Sequence, residues 1–155
     1  MKKVLFLLLG ISFLFADLMQ DMCRGIGYSV SYCPSDLIQQ AMKKGVDKVE
    51  KDGDSSYSVI NFMLADAYHN EDKYYAFKGY FLVRLSEDSG LFVLQNGSDN
   101  NILLVYLEDL PENVRFFSGG KYIGFVKGEG AYKYESKELG DIMIPKGSII
   151  AIERE

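Results

Sequence analysis

The feature that most constrains this chain is a change of hydrophobic period near Tyr74. Before it, apolar residues recur at helical spacing; after it, they alternate. Phe77, Gly79, Phe81, Val83 and Leu85 interleave with Lys78, Tyr80, Leu82 and Arg84, the period of a half-buried strand. Ser86 to Gly90 reads as a turn, Leu91 to Leu94 as a second strand, and Asn96-Gly97 as another turn. Ile102 to Leu107 is a third strand, apolar enough to be central. Pro111-Glu112-Asn113 and Ser118-Gly119-Gly120 bracket a connection that carries no helical period. Lys121 to Lys127 makes a fourth strand and Ser148 to Glu153 a fifth. Between them runs a tyrosine-rich loop, Gly128 to Gly147, with room for short strands around Tyr132-Lys133-Tyr134 and Ile142-Met143-Ile144. Five short strands, the first long and bent, predict a small five-stranded antiparallel barrel. Gly79 lies inside the first strand, where a glycine marks the bend that lets one strand serve both halves of a barrel.

Two helices are expected ahead of the barrel, which makes the class α+β. Ser35 caps the first, with Asp36 near the positive end of its dipole. Leu37, Ile38, Ala41, Met42, Val46 and Val49 share one stripe, and Asp52-Gly53-Asp54 stops it. Ser55 or Ser56 opens the second, whose apolar residues are Val59, Ile60, Met63, Leu64 and Ala67. The segment from Asp17 to Pro34 shows no sustained period and reads as an irregular lead-in.

The first residues have a different purpose. Met1-Lys2-Lys3 is a short basic start, Val4 to Phe15 is almost wholly apolar, and Ala16 precedes the polar Asp17. That is the layout of a secretory signal peptide, and a run of about 12 residues is too short for a spanning helix, which takes about 17–25. The expected organisation is therefore a signal peptide over 1–16, a lead-in and two helices over 17–73, and the barrel over 74–155, packed as one domain. Cleavage removes Lys2 and Lys3, so the mature chain is two units more acidic than the −5 of the full sequence. No later stretch is apolar and long enough to span a bilayer. The acidity sets nucleic acid aside as a partner, since it is bound chiefly by basic patches. Cys23 and Cys33 are the two cysteines, and in an oxidising compartment an even count predicts a structural disulfide.

The stretch Phe77-Lys78-Gly79-Tyr80-Phe81-Leu82-Val83-Arg84-Leu85-Ser86-Glu87-Asp88-Ser89-Gly90-Leu91-Phe92-Val93-Leu94 resembles the opening hairpin of OB-fold domains, in particular the small exported bacterial OB-fold family. Lys121 to Gly128 looks like that family's fourth strand with its glycine shifted. The resemblance covers about residues 74–153. It implies an OB-like β-barrel acting as a binding module, with ligands on the face of strands two and three and in the loops flanking it. On this chain that face uses alternate residues among Phe92, Leu94, Leu103, Val105 or Tyr106, and the loops are Ser86–Gly90 and Gly128–Gly147. Phe92, Tyr106, Tyr132, Lys133 and Tyr134 are thus the candidate ligand contacts. Ordinary half-buried strand tyrosines are the alternative reading of the same rings.

Catalytic equipment is sparse. The one histidine, His69, falls at the end of the second expected helix, where a dipole contribution is the simplest role. No His-rich zinc motif, nucleophile elbow or phosphate loop occurs. Glu71-Asp72, Glu87-Asp88 and Glu108-Asp109 read as solvated turn residues. The expectation is a periplasmic non-enzyme, without metal or cofactor, that binds a small ligand, glycan or envelope protein. The alternative is an envelope enzyme or inhibitor whose carboxylates are too scattered to recognise, as in a glycosidase with acids about 5–10 Å apart.

Overall fold

A computed structural model of the chain describes residues 16–50, 70–95 and 102–155. The expected signal peptide up to residue 15, the expected helix around 55–69 with His69, and the Asn96-Gly97 turn lie outside the described residues. Five strands follow the helical part: β1 (Tyr74–Arg84), β2 (Gly90–Gln95), β3 (Ile102–Glu108), β4 (Lys121–Ser136) and β5 (Gly140–Arg154). They close in the order β1-β2-β3-β5-β4 and back to β1. This is an OB-like barrel. Residues 17–34, read from sequence as irregular, begin with a helix, α1, at residues 16–25. Its buried stripe is Leu18, Met19, Met22, Cys23 and Ile26, a helical spacing that the neighbouring glycines obscure. The Cys23–Cys33 disulfide is formed and ties α1 to the start of α2 (Ser35–Lys43).

Helix α2 stops earlier than its apolar stripe suggested. Gly45 takes φ 99°. Its N–H bonds to the Met42 carbonyl, and that of Val46 to Ala41, which together form a Schellman stop. Val46 and Val49 are nevertheless buried, now from an extended segment. The all-antiparallel expectation also fails. β3 and β5 pair in parallel, Tyr106 with Lys146 through Glu108 with Ser148, while the other four pairings are antiparallel. Strand direction cannot alternate all the way round a closed ring of five, so one pair must run parallel.

Gly79 stands where β1 changes partners. Tyr74 to Tyr80 pair with β4, and Gly79 to Arg84 pair with β2. A Cβ at Gly79 would lie 2.5 Å from Leu94 Cδ2 and 2.6 Å from Val93 O, so only glycine lets the strands approach at this bend. Inside the barrel, Tyr75, Phe77, Phe81, Phe92, Leu94, Val105, Leu107, Tyr122, Val126, Ile149 and Ile152 form the core. Phe92 sits at its centre, edge-on to Phe77, Phe81, Phe116 and Tyr122. Val114 and Phe116, from the helix-free link 109–120, close one end. The Tyr122 hydroxyl holds that link by donating to Arg115 O at 2.8 Å and accepting from Phe117 N–H at 3.0 Å.

The outside of the barrel is covered in two places. α1, α2 and the segment to Val49 bury Ala76, Ile123, Phe125 and Ala151 on the β1–β4–β5 side. The β2–β3 side is covered by the chain's own β4–β5 extension. The tyrosine-rich stretch 128–147 is therefore not a loop. Its residues continue both strands as a hairpin arm, paired from Ala131 with Pro145 to Ser136 with Gly140. Tyr132, Tyr134, Ile142 and Ile144 share one face of the arm, opposite Lys133, Glu135, Asp141 and Met143, and Gly140 at φ 73° completes its tight turn.

Candidate ligand face

Strand parity decides which side chains a ligand can reach. Phe92 and Leu94 point into the barrel with Val105 and Leu107, so the outward residues of β2 and β3 are Leu91, Val93, Leu104 and Tyr106. Phe92 is fully buried and is corrected from ligand contact to core: both faces of β2 are apolar, so sequence alternation left its inward side ambiguous. Tyr106 does lie on the outer face but is buried there beneath Tyr132, so it too is corrected from direct ligand contact to a support under the arm. Register places Leu91 beside Tyr106, and Tyr80 beside Val93 beside Leu104. The first row is covered by the arm, while Tyr80, Val93 and Leu104 stay half-buried. Leu103 has no described side chain.

The arm lies on this face through an apolar cluster of Leu91, Tyr106 and Ile144, with Leu104, Tyr132, Tyr134 and Ile142 at its margin. Tyr132 and Tyr106 stack face to face, ring centroids 3.8 Å apart and planes 4° from parallel. Tyr134 continues the row two residues along, half-exposed. Lys133 points away from the cluster and pairs with Asp141 at 2.7 Å, both groups largely solvated.

The root of the arm is fixed by a residue that sequence reasoning missed. Asn70 is fully buried. Its amide donates to Gly130 O at 3.0 Å and accepts from Gly130 N–H at 2.6 Å, replacing a strand partner at the bulge between Gly128 and Ala131. Backbone bonds from Asp72 N–H to Gly128 O and from Gly128 N–H to Lys73 O extend the seam. An Asn before an acidic turn gives no sequence signal of this role. Lys127 and Asp72 pair at 3.1 Å, and that hydrogen bond raises the Lys127 pKa above its ordinary value. Beside Tyr106, Lys146 meets Glu108 at 3.0 Å, which likewise raises the Lys146 pKa. Glu108 is thus a strand residue in an ion pair rather than a turn acid.

The β1–β2 turn, the other flank of the face, is internally braced. Ser86 Oγ lies 2.8 Å from Asp88 and 2.6 Å from Ser89 Oγ, and the Arg84 guanidinium donates to Glu87 O while lying 5.7 Å from the Phe116 ring centre. The uncovered part of the face accordingly presents half-exposed Tyr80, Val93, Leu104, Tyr132 and Tyr134 beside the arm, flanked by paired charges. Among the described residues no group of three His, Cys, Asp or Glu is gathered to hold a metal. No described helix is long and apolar enough to cross a membrane.

No protein-family model matches the chain, and no curated protein matches it. Similar solved structures include two crystal structures of the mitochondrial single-stranded DNA binding protein of S. cerevisiae, one of them selenomethionine-labelled. Each is 12% identical and covers 54% of this chain and 95% of its own, with TM-scores of 0.34 and 0.33. At this level the likeness carries no argument about ligand, and the barrel assignment stands on strand order. The expectation that acidity sets nucleic acid aside is withdrawn: these neighbours are named as DNA-binding proteins, and net charge alone does not exclude such a partner. Net charge sums the whole surface, whereas recognition depends on the local field, and Lys127, Lys133 and Lys146 are each paired with a carboxylate. The barrel is OB-like in strand order, with its arm laid over the outer face of β2 and β3.

Proposed function

We propose that this chain is an exported, non-enzymatic binding module that recognises a glycan on the arm-walled face, and that it belongs with the small exported bacterial OB-fold proteins. The observation that carries the reading is the pair of half-exposed tyrosines on a braced arm, Tyr132 and Tyr134, with Tyr132 held flat on the buried Tyr106. Sugar rings pack on such aromatic faces, and the flanking Glu108–Lys146 and Lys133–Asp141 pairs offer hydroxyl groups both donors and acceptors. A wall held in place by Asn70 binds without first being ordered, which lowers the entropic cost of association. Export is supported by the signal-like layout of residues 1–16 and by the Cys23–Cys33 disulfide, a bond that persists in oxidising compartments.

The same tyrosine row supports a second reading, single-stranded nucleic acid, because bases stack on aromatic rings as readily as sugars do. A binding screen with an N-acetylglucosamine oligomer and with oligothymidine separates the two. Under the first reading the glycan binds, and the double variant Tyr132→Ala, Tyr134→Ala weakens it by about tenfold or more, the cost of one or two lost stacks. Binding of oligothymidine alone, with the same loss, would replace the glycan by nucleic acid. Affinity that is unchanged in the variant would remove the face from either reading.

A further inference from the structure

A second concave site lies away from the tyrosine face. It is a cleft of about 210 Å³ between the end of α2, the link after β3, and β5. None of its lining residues belongs to the arm or to the outer side of β2 and β3. It opens where the barrel seam parts: β3 leaves β5 after Glu108 and Ser148, while β5 continues along β4 to Arg154. Its polar residues are Lys44, Gln40, Asp109 and Asn113, and its apolar wall is Val114, Ile149 and Ile152.

We infer that this cleft binds a small zwitterion of the amino-acid type, with Lys44 meeting its carboxylate and Asp109 its ammonium. Lys44 and Asp109 carry opposite charges into one cleft, yet no ion pair joins them among the described residues. Lys44 Nζ donates to Ile150 O at 2.7 Å, which positions the ammonium and leaves two of its three protons for a ligand. One oxygen of Asp109 accepts from Ser148 Oγ, and the other remains for a cation. Asp109 is held at φ 60°, a conformation that non-glycine residues seldom adopt and that Asp and Asn tolerate best. Asn113 adds an amide, and the margins of Val114, Ile149 and Ile152, whose side chains otherwise pack in the barrel core, leave a small apolar floor for a short aliphatic side chain. The volume is below the ~300–1,000 Å³ of pockets for drug-sized ligands, so it suits a single small molecule rather than a chain.

The test is a titration of the isotope-labelled full chain with glycine, alanine, valine and leucine, followed by amide shifts. The expected result is saturable shifts at Lys44, Asn113 and Ile150 with valine or leucine, and affinity at least tenfold weaker for isobutylamine and for isobutyrate, which each carry one of the two charges. Lys44→Met keeps the aliphatic stem, and Asp109→Asn keeps both the backbone preference and an acceptor for Ser148. Each should abolish the valine shifts while leaving the rest of the spectrum in place. Absence of saturable shifts at these amides with all four amino acids would overturn the proposal. So would equal binding of the singly charged analogues, or unchanged binding in both variants.

Discussion

Single residues set the geometry of this molecule more than its composition does. Asn70 serves both backbone groups of Gly130 from a fully buried position. Replacing it with Ala leaves two buried polar groups without partners and should cost about 2–4 kcal/mol, read as a shift of the chemical-denaturation midpoint; an unchanged midpoint would remove Asn70 as the brace. Tyr75 gives a prediction in pH. Burial, and then the nearby Glu50 charge, push its hydroxyl pKa up to about 12. The unfolded chain ionises this tyrosine near its ordinary value of about 10, before the folded chain does, so the folded state holds the extra proton between the two values. Stability is therefore unaffected by Tyr75 below about pH 10 and falls between about pH 10 and 12, by on the order of 2 kcal/mol. Tyr75→Phe should flatten that fall in a denaturation series. At this scale Gly79 was legible, because a glycine inside an alternating strand marks a bend or a close backbone approach. The inward side of Phe92 was not, since Leu91, Phe92, Val93 and Leu94 are apolar on both faces.

At the scale of elements, the strands were readable and their lengths were not. β2 and β3 fall where alternation put them, whereas β4 and β5 run on into an arm about as long as their barrel portions. The glycines at 128, 130, 140 and 147 look like loop markers in sequence. In the structure they serve a bulge and a tight turn, and the Tyr/Ile alternation between them is what makes the arm a hairpin. The helix at residues 16–25 was hidden in a similar way, because its apolar stripe is narrow and ends among Gly25 and Gly27. The helical layer depends on the short Cys23–Cys33 loop. Replacing both cysteines with Ser should lower stability by about 2–3 kcal/mol in the chain-entropy view. The loss should appear first as faster amide exchange at Met22, Ile26, Leu37 and Ile38, with the barrel amides less affected; uniform loss across the barrel would show that the two layers unfold together.

For the whole molecule, one architecture explains both coverings. A closed barrel leaves no free sheet, so its outer faces must be solvated or covered. Here the helices cover β1, β4 and β5, while the arm covers β2 and β3. The α+β barrel could be read from the period change at Tyr74, and a ring of five strands makes a parallel pair unavoidable. What net charge could not supply was the partner, because it sums the whole surface and says nothing of the field at any one face. If the chain is exported as proposed, the intact mass of protein recovered from the cell envelope should match residues 17–155 with both cysteines oxidised; a mass that retains the leader would contradict it. Ligand recognition on the arm-walled face is tested most directly by amide shift mapping during titration with the N-acetylglucosamine oligomer. Saturable shifts clustered at Leu91–Val93, Leu104–Tyr106, Ala131–Tyr134 and Ile142–Ile144 are the expected result. Saturable shifts confined to the helical layer, or none at all, would contradict it.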